Sequence, residues 1–184
     1  MAGGDLWSGL THVPFDSSLD RSVFSCPNLD LNDFFYHDAL KGQQSRVSAT
    51  HCVLLGTRVV GFFTLVNDTI STTKIREEDK KPGYSYSRYP ALKIARLATD
   101  TRFQRQGIGT YMLYLTIAIA YRISHYSGCK YITVDSKRES ALFYEQFGFI
   151  RVYGSKSDTP GNLVHLYLDY MAPFTRPADR EDGH

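Results

Sequence analysis

Between Lys93 and Tyr111 the chain reads K-I-A-R-L-A-T-D-T-R-F-Q-R-Q-G-I-G-T-Y, and the types and spacing of Gln104, Gly107 and Gly109 suit the binding of an anion. Leu92 to Thr99 is rich in apolar and β-branched residues, a strand pattern. Asp100 to Gln106 is a polar turn, and a long apolar helix pattern starts at Ile108. The glycines therefore stand where a turn becomes a helix. A helix N-terminus presents four backbone N–H groups without internal partners and about half a positive charge. With side chains removed there, an anion can reach the backbone, so the segment reads as a phosphate cradle. Arg102 and Arg105 would add charge-assisted donors for phosphate oxygens.

Two other cradles are excluded on residues. A Walker-type loop needs a lysine followed by Ser or Thr after its last glycine, whereas Ile108 follows Gly107 and Thr110 follows Gly109. The dinucleotide fingerprint needs a third glycine where Met112 stands, and an acidic residue further on where Gly128 to Lys130 carries none. What remains is Q-x-x-G-x-G over Gln104 to Gly109. Taken alone it admits two readings, a phosphate cradle or a pair of glycines that only permit a tight turn.

A second motif lies downstream, A-L-F-Y-E-Q-F-G-F from Ala141 to Phe149. In order and spacing the two resemble the GNAT superfamily of N-acetyltransferases. There (R/Q)-x-x-G-x-(G/A) follows the fourth strand and opens the third helix, and A-x-x-F-Y-x-x-x-G-F follows later. A third stretch, F-S-C-P-N-L-D-L-N-D-F from Phe24 to Phe34, is similar to the start of GNATs that act as toxins in toxin–antitoxin pairs.

The resemblance implies an α/β (α+β) fold, a GNAT-type mixed and mostly antiparallel sheet with helices on both faces. It implies acetyl-CoA as acetyl donor. The pyrophosphate would lie on the backbone of Gln104, Arg105, Gln106, Gly107, Ile108, Gly109 and Thr110. The pantetheine arm would run beside Leu97, Ala98 and Thr99 as an extra strand, with an N–H of Leu97 or Ala98 meeting the oxyanion. Tyr144 stands where the family places the general acid that protonates the departing thiolate. Without the family, Tyr144 reads as a half-buried helix tyrosine beside Phe143 and Phe147.

The strand before the cradle offers Lys93 and Arg96 where some acetyltransferases carry a glutamate base. At pH 7.4 a lysine amine is about 0.1% neutral, whereas an α-amine is roughly 20–35% neutral. A site without a dedicated base thus serves an α-amine better, although Asp135 or Glu145 acting through water stays open. With the toxin-like resemblance this points to aminoacyl-tRNA as acceptor, blocking translation, and to an antitoxin protein as partner. Arg46, Arg58, Lys93, Arg96, Arg102 and Lys137 would either bind its backbone or serve as scattered solubilising charges. The alternatives are acetylation of a small amine or a protein N-terminus, and a CoA-sensing or partner-binding module without turnover. Whether two copies form a homodimer is open. No histidine has metal spacing, and none is assigned to catalysis.

The elements that must position these residues follow from period and punctuation. Residues 1–17 read as a loosely ordered arm leading to a first strand around Ser18 to Phe24. Asn28 or Asp30 caps a helix whose Leu31, Phe34, Phe35 and Ala39 share one face. Thr50 to Leu55 and Val59 to Val66 form a hairpin. Ser71 to Ser87, with charges of alternating sign, reads as a solvated loop, and its Tyr84, Tyr86, Arg88 and Tyr89 would face the acceptor. Ile108, Met112, Leu115, Ile119 and Ile123 make a helical stripe ended by Gly128. Tyr131 to Asp135 is a strand, Ser136 with Glu139 a capping box, and Gly148 the end of the helix that carries Tyr144. Arg151 to Tyr153 and Leu163 to Tyr170 complete the sheet, and 171–184 is a tail. The acetyltransferase is read as one domain over 18–170.

The 184 residues are 42% apolar and 22% charged with net charge +2, which excludes wholesale disorder and is too mild to imply nucleic acid by itself. The three isolated cysteines suggest reduced thiols of a cytoplasmic protein, and no stretch reads as a membrane span.

Overall fold

The computed structural model of the chain describes residues 7–152 and 163–172. Its elements are β1 (Leu10–Pro14), α1 (Leu29–Asp33), α2 (Ala39–Gln44), β2 (Ala49–Leu55), β3 (Arg58–Ser71), β4 (Arg88–Thr99), α3 (Ile108–Ser127), β5 (Tyr131–Lys137), α4 (Arg138–Phe147), β6 (Ile150–Arg151) and β7 (Leu163–Leu168). Among the described residues seven strands run in the order β1-β2-β3-β4-β5-β7-β6. The pairs β1/β2, β2/β3, β5/β7 and β6/β7 are antiparallel, so the mixed, mostly antiparallel sheet expected from the resemblance is present. Two compact units are distinguished, Met1–Val66 with Ile94–Ala118, and Asn67–Lys93 with Ile119–His184.

In the first unit β1 pairs with β2, Leu10 opposite Leu55 and Pro14 opposite His51. The first strand thus precedes the expected Ser18 to Phe24. That stretch is diverted by aspartates: Asp16 accepts from the Ser18 N–H at 2.7 Å, and Asp20 from the Ser22 N–H at 2.9 Å. Such turns satisfy the backbone locally and compete with a strand ladder. The Asn28 side chain caps α1 by accepting from the Asp30 N–H, as expected. A π turn over Phe34–Asp38 continues into α2 and turns Phe35 and Ala39, both fully buried, toward the core. Phe35 stacks on Phe62 with ring centroids 4.3 Å apart, and Phe24 meets both edge-on. Burying each such ring contributes about 1.5–3 kcal/mol.

In the second unit β5 pairs with β7 from Ile132 opposite Leu168 to Lys137 opposite Leu163. The loop expected over Ser71 to Ser87 is solvated along most of its length, as expected, but it is also pinned to the sheet. Ile75 is buried, and the Arg76 N–H donates to the Tyr167 hydroxyl at 3.1 Å. Tyr167 donates in turn to the Asp79 carboxylate, and Tyr131 to the Asp79 carbonyl, both at 2.6 Å. These tyrosine rings bury their apolar bodies and spend their hydroxyls on the loop, as buried tyrosines must. β5 runs on to Lys137, so Ser136 stays in the strand opposite Val164 and is not the cap; α4 starts at Arg138 with no side-chain cap. Gly148 ends α4 at φ +113°, and Gly128 follows α3 at φ +68°, both as expected. The expected strand end Tyr153, the tail from 173 and the first six residues lie outside the described residues. All three cysteines are free and buried. No helix among the described residues is long and apolar enough to cross a membrane.

Candidate active site

The turn between β4 and α3 is built by two left-handed residues, Arg105 at φ +59° and Gly107 at φ +83°. Alternating hands in successive residues turn their N–H groups to one side, a concavity suited to an anion. The Gly107 carbonyl accepts from the Tyr111 N–H at 2.9 Å, which makes Gly107 the residue before the first helical turn. The amides of Ile108, Gly109 and Thr110 therefore precede the first intrahelical bond. Gln106 folds back to donate to the Arg102 carbonyl at 3.1 Å, while the Gln104 and Arg105 side chains are exposed. At the end of β4, immediately before this turn, Leu97 and Thr99 are half-buried and Ala98 is buried.

Trp7, expected in a loose arm, stands against this turn. A side chain at Gly107 would begin 3.1 Å from the Trp7 Nε1. The indole packs beside Tyr111 and Tyr114, with centroids 5.6 and 5.9 Å away. Its Nε1–H is buried without a hydrogen-bond partner. An unsatisfied buried donor beside a backbone concavity suits a negatively charged group, so the residues fit a phosphate. The sequence carried no signal for this contact beyond the chain's having one tryptophan.

Arg102 does not serve as the expected phosphate donor. Its guanidinium grips Asp100 with Nε to Oδ1 at 2.8 Å and NH2 to Oδ2 at 2.7 Å, and also reaches the Val23 carbonyl. Asp100 has no exposed surface and accepts from the Ser25 and Arg102 N–H groups as well. Burial alone would raise its carboxyl pKa, but the hydrogen bonds from Arg102 and Ser25 outweigh it and hold the carboxyl below its ordinary value. The folded-state pKa is lowered, so the stabilisation is complete above about pH 4, the unfolded carboxylate's value, and is lost as pH falls toward the folded one. Asp100→Asn is expected to lose about 2 kcal/mol at pH 7 in urea titrations, with the gap to wild type closing below about pH 4.

In the other unit, Tyr144 is 6% exposed on α4, its ring edge-on to Phe143 and Phe149. Burial is what raises its phenol pKa, and no hydrogen bond contributes. The group thus stays protonated through the physiological range, ready to donate. Glu145 pairs with Arg151. Asp135 is held by Lys93 and by His165. Lys93 and Arg102, both among the cations expected to face RNA, are thus engaged by carboxylates. Of the four loop residues expected to face an acceptor, Tyr89 is buried with Tyr84 stacked on it at 4.2 Å, and Tyr86 is exposed. Arg88 alone lines a cavity of about 210 Å³ within this unit, and it is anchored on Thr69. Among the described residues no group of His, Cys, Asp and Glu is arranged to hold a metal.

Comparison with known proteins accords with this arrangement. Residues 48–151 match the family described as an acetyltransferase (GNAT) domain. The tRNA-acetylating toxin of Mycobacterium tuberculosis is 25% identical over 154 residues, covering 81% of this chain and 85% of that protein. AtaT complexed with acetyl-methionyl-tRNAfMet has a similar structure, with TM-score 0.77 and 20% identity over 87% of this chain and 94% of that one. AtaTR bound with AcCoA gives TM-score 0.71 and 21% identity over 89% and 95%. At these identities the structural likeness speaks for the fold.

Proposed function

The chain belongs to the GNAT acetyltransferase family, and from that premise we propose that it moves an acetyl group from acetyl-CoA to the α-amine of an aminoacyl-tRNA. The observation that carries the first half is the turn over Gln104 to Thr110, whose left-handed Arg105 and Gly107 and free helix-start amides suit a diphosphate. The acceptor half is supported by the likeness to a tRNA-acetylating toxin and by the scarcity of neutral lysine at physiological pH. In this reading an N–H of Leu97 or Ala98 receives the oxyanion, and Tyr144 gives its proton to sulfur as the C–S bond breaks. The reaction belongs in the cytoplasm, where charged tRNA is found, and a protein antitoxin would be its natural restraint.

The test is incubation with labelled acetyl-CoA and total charged tRNA. Label is expected on the aminoacyl end, released with the amino acid when the ester is hydrolysed. Label only in small amines or protein N-termini would move the acceptor to those classes. Binding of CoA with no transfer to anything would reduce the protein to a sensor.

A further inference from the structure

The cavity in the second unit holds a hydrogen-bonded acid–imidazole pair that the reading above does not use. Asp135 and His165 are direct register partners across β5 and β7, and both line the cavity. His165 Nδ1 contacts Asp135 Oδ1, and Lys93 reaches Oδ2 from β4. Burial would raise the Asp135 carboxyl, but Lys93 and His165 together hold it below its ordinary value, so an ionised acceptor faces Nδ1. The ring proton is then assigned to Nδ1, and the lone pair to Nε2. The cavity's other carboxylate, Asp68, already accepts from the Thr133 hydroxyl at 2.7 Å and the Thr69 N–H at 2.8 Å. Among the described lining residues Nε2 is the basic lone pair left uncommitted. The charged groups around it are Asp68 on β3, Lys74 on the following turn, Arg88 and Lys93 on β4, and Asp135 on β5. Three cations against two carboxylates favour the neutral form of a bound amine.

We propose that His165 is the base that takes the proton from the acceptor amine, with Asp135 as its positioning residue. The proposal rests on the N-acetyltransferase reading and supplies from β7 the proton acceptor that β4 lacks; it receives the proton from an amine that arrives neutral, so the preference for an α-amine over a lysine stands. The amine lone pair forms the C–N bond with the thioester carbonyl carbon, and the N–H proton passes to Nε2. The C–S pair leaves on sulfur, which takes the proton of Tyr144. The imidazolium then returns its proton through solvent to the tyrosinate, leaving an amide and the CoA thiol. Asp135 faces the imidazolium at the moment it forms, the arrangement that orients a histidine base and stabilises its charge.

The experiment follows thiol release from acetyl-CoA with total charged tRNA across pH, alongside acetyl-CoA affinity by titration. His165→Gln is expected to lower kcat about 10²-fold and to bind acetyl-CoA within about twofold of wild type. Asp135→Asn should fall between the two, and free imidazole should restore part of the activity of His165→Ala. A His165→Gln enzyme with wild-type kcat overturns the proposal, as does a His165→Ala enzyme slowed but indifferent to imidazole. Wild-type protein that binds acetyl-CoA yet releases no thiol overturns the acetyltransferase reading itself, a result separable from both.

Discussion

Tyr144→Phe is expected to lower kcat by about 10²-fold or more while acetyl-CoA binds as before. The ring packs against Phe143 and Phe149, contacts that phenylalanine keeps. Burial alone raises the hydroxyl's pKa, with no hydrogen bond among the causes. The variant therefore removes one proton donor and little else. Because the phenol's pKa is raised, no descending limb from this group should appear below about pH 10. The donation is uphill toward a thiol of ordinary pKa about 8.5, so it must accompany C–S cleavage rather than precede it. A Tyr144→Phe enzyme with wild-type kcat would remove the residue from the mechanism.

Gly107→Glu should abolish measurable acetyl-CoA binding, at least a 10²-fold loss, since like charges brought together cost several kcal/mol. Two local effects add to the charge. The backbone at φ +83° is left-handed, which disfavours any side chain, and the new Cβ would start 3.1 Å from the Trp7 indole nitrogen. Those effects also threaten the turn itself, so Thr110→Glu is the companion variant. There a carboxylate in the first turn of α3 stabilises the helix while repelling a diphosphate. Equilibrium titration of both variants, with thermal melts beside them, separates loss of the turn from loss of the ligand. Unchanged affinity in a folded Thr110→Glu would place the diphosphate elsewhere.

What could be read without the structure was local. The helical stripe from Ile108, the cap at Asn28, the hairpin at Gly56–Arg58 and the helix end at Gly148 follow from period and punctuation within a few residues. The turn at Gly107 was legible from its glycine, whereas Arg105 shares the left-handed backbone of that turn with no sign in its residue type. Arg102 was misread for want of a partner, although Asp100 stood two residues earlier. The long-range pairs left no trace at all. Asp135 and His165 are thirty residues apart, and only the β5/β7 register makes them neighbours. The charged stretch after Ser71 was legible as solvated, but its anchoring was not, because the hydroxyls of Tyr131 and Tyr167 that hold it lie far along the chain.

The seat of Trp7 against Gly107 has a practical side. The chain has a single tryptophan among 13 tyrosines, and that indole borders the turn assigned to the diphosphate. Its fluorescence is an intrinsic optical reporter of that turn's occupancy, sensitive to one location and silent about the rest. Emission colour and quenching can be followed in an unlabelled protein, in real time, as the nucleotide end of the donor arrives and leaves.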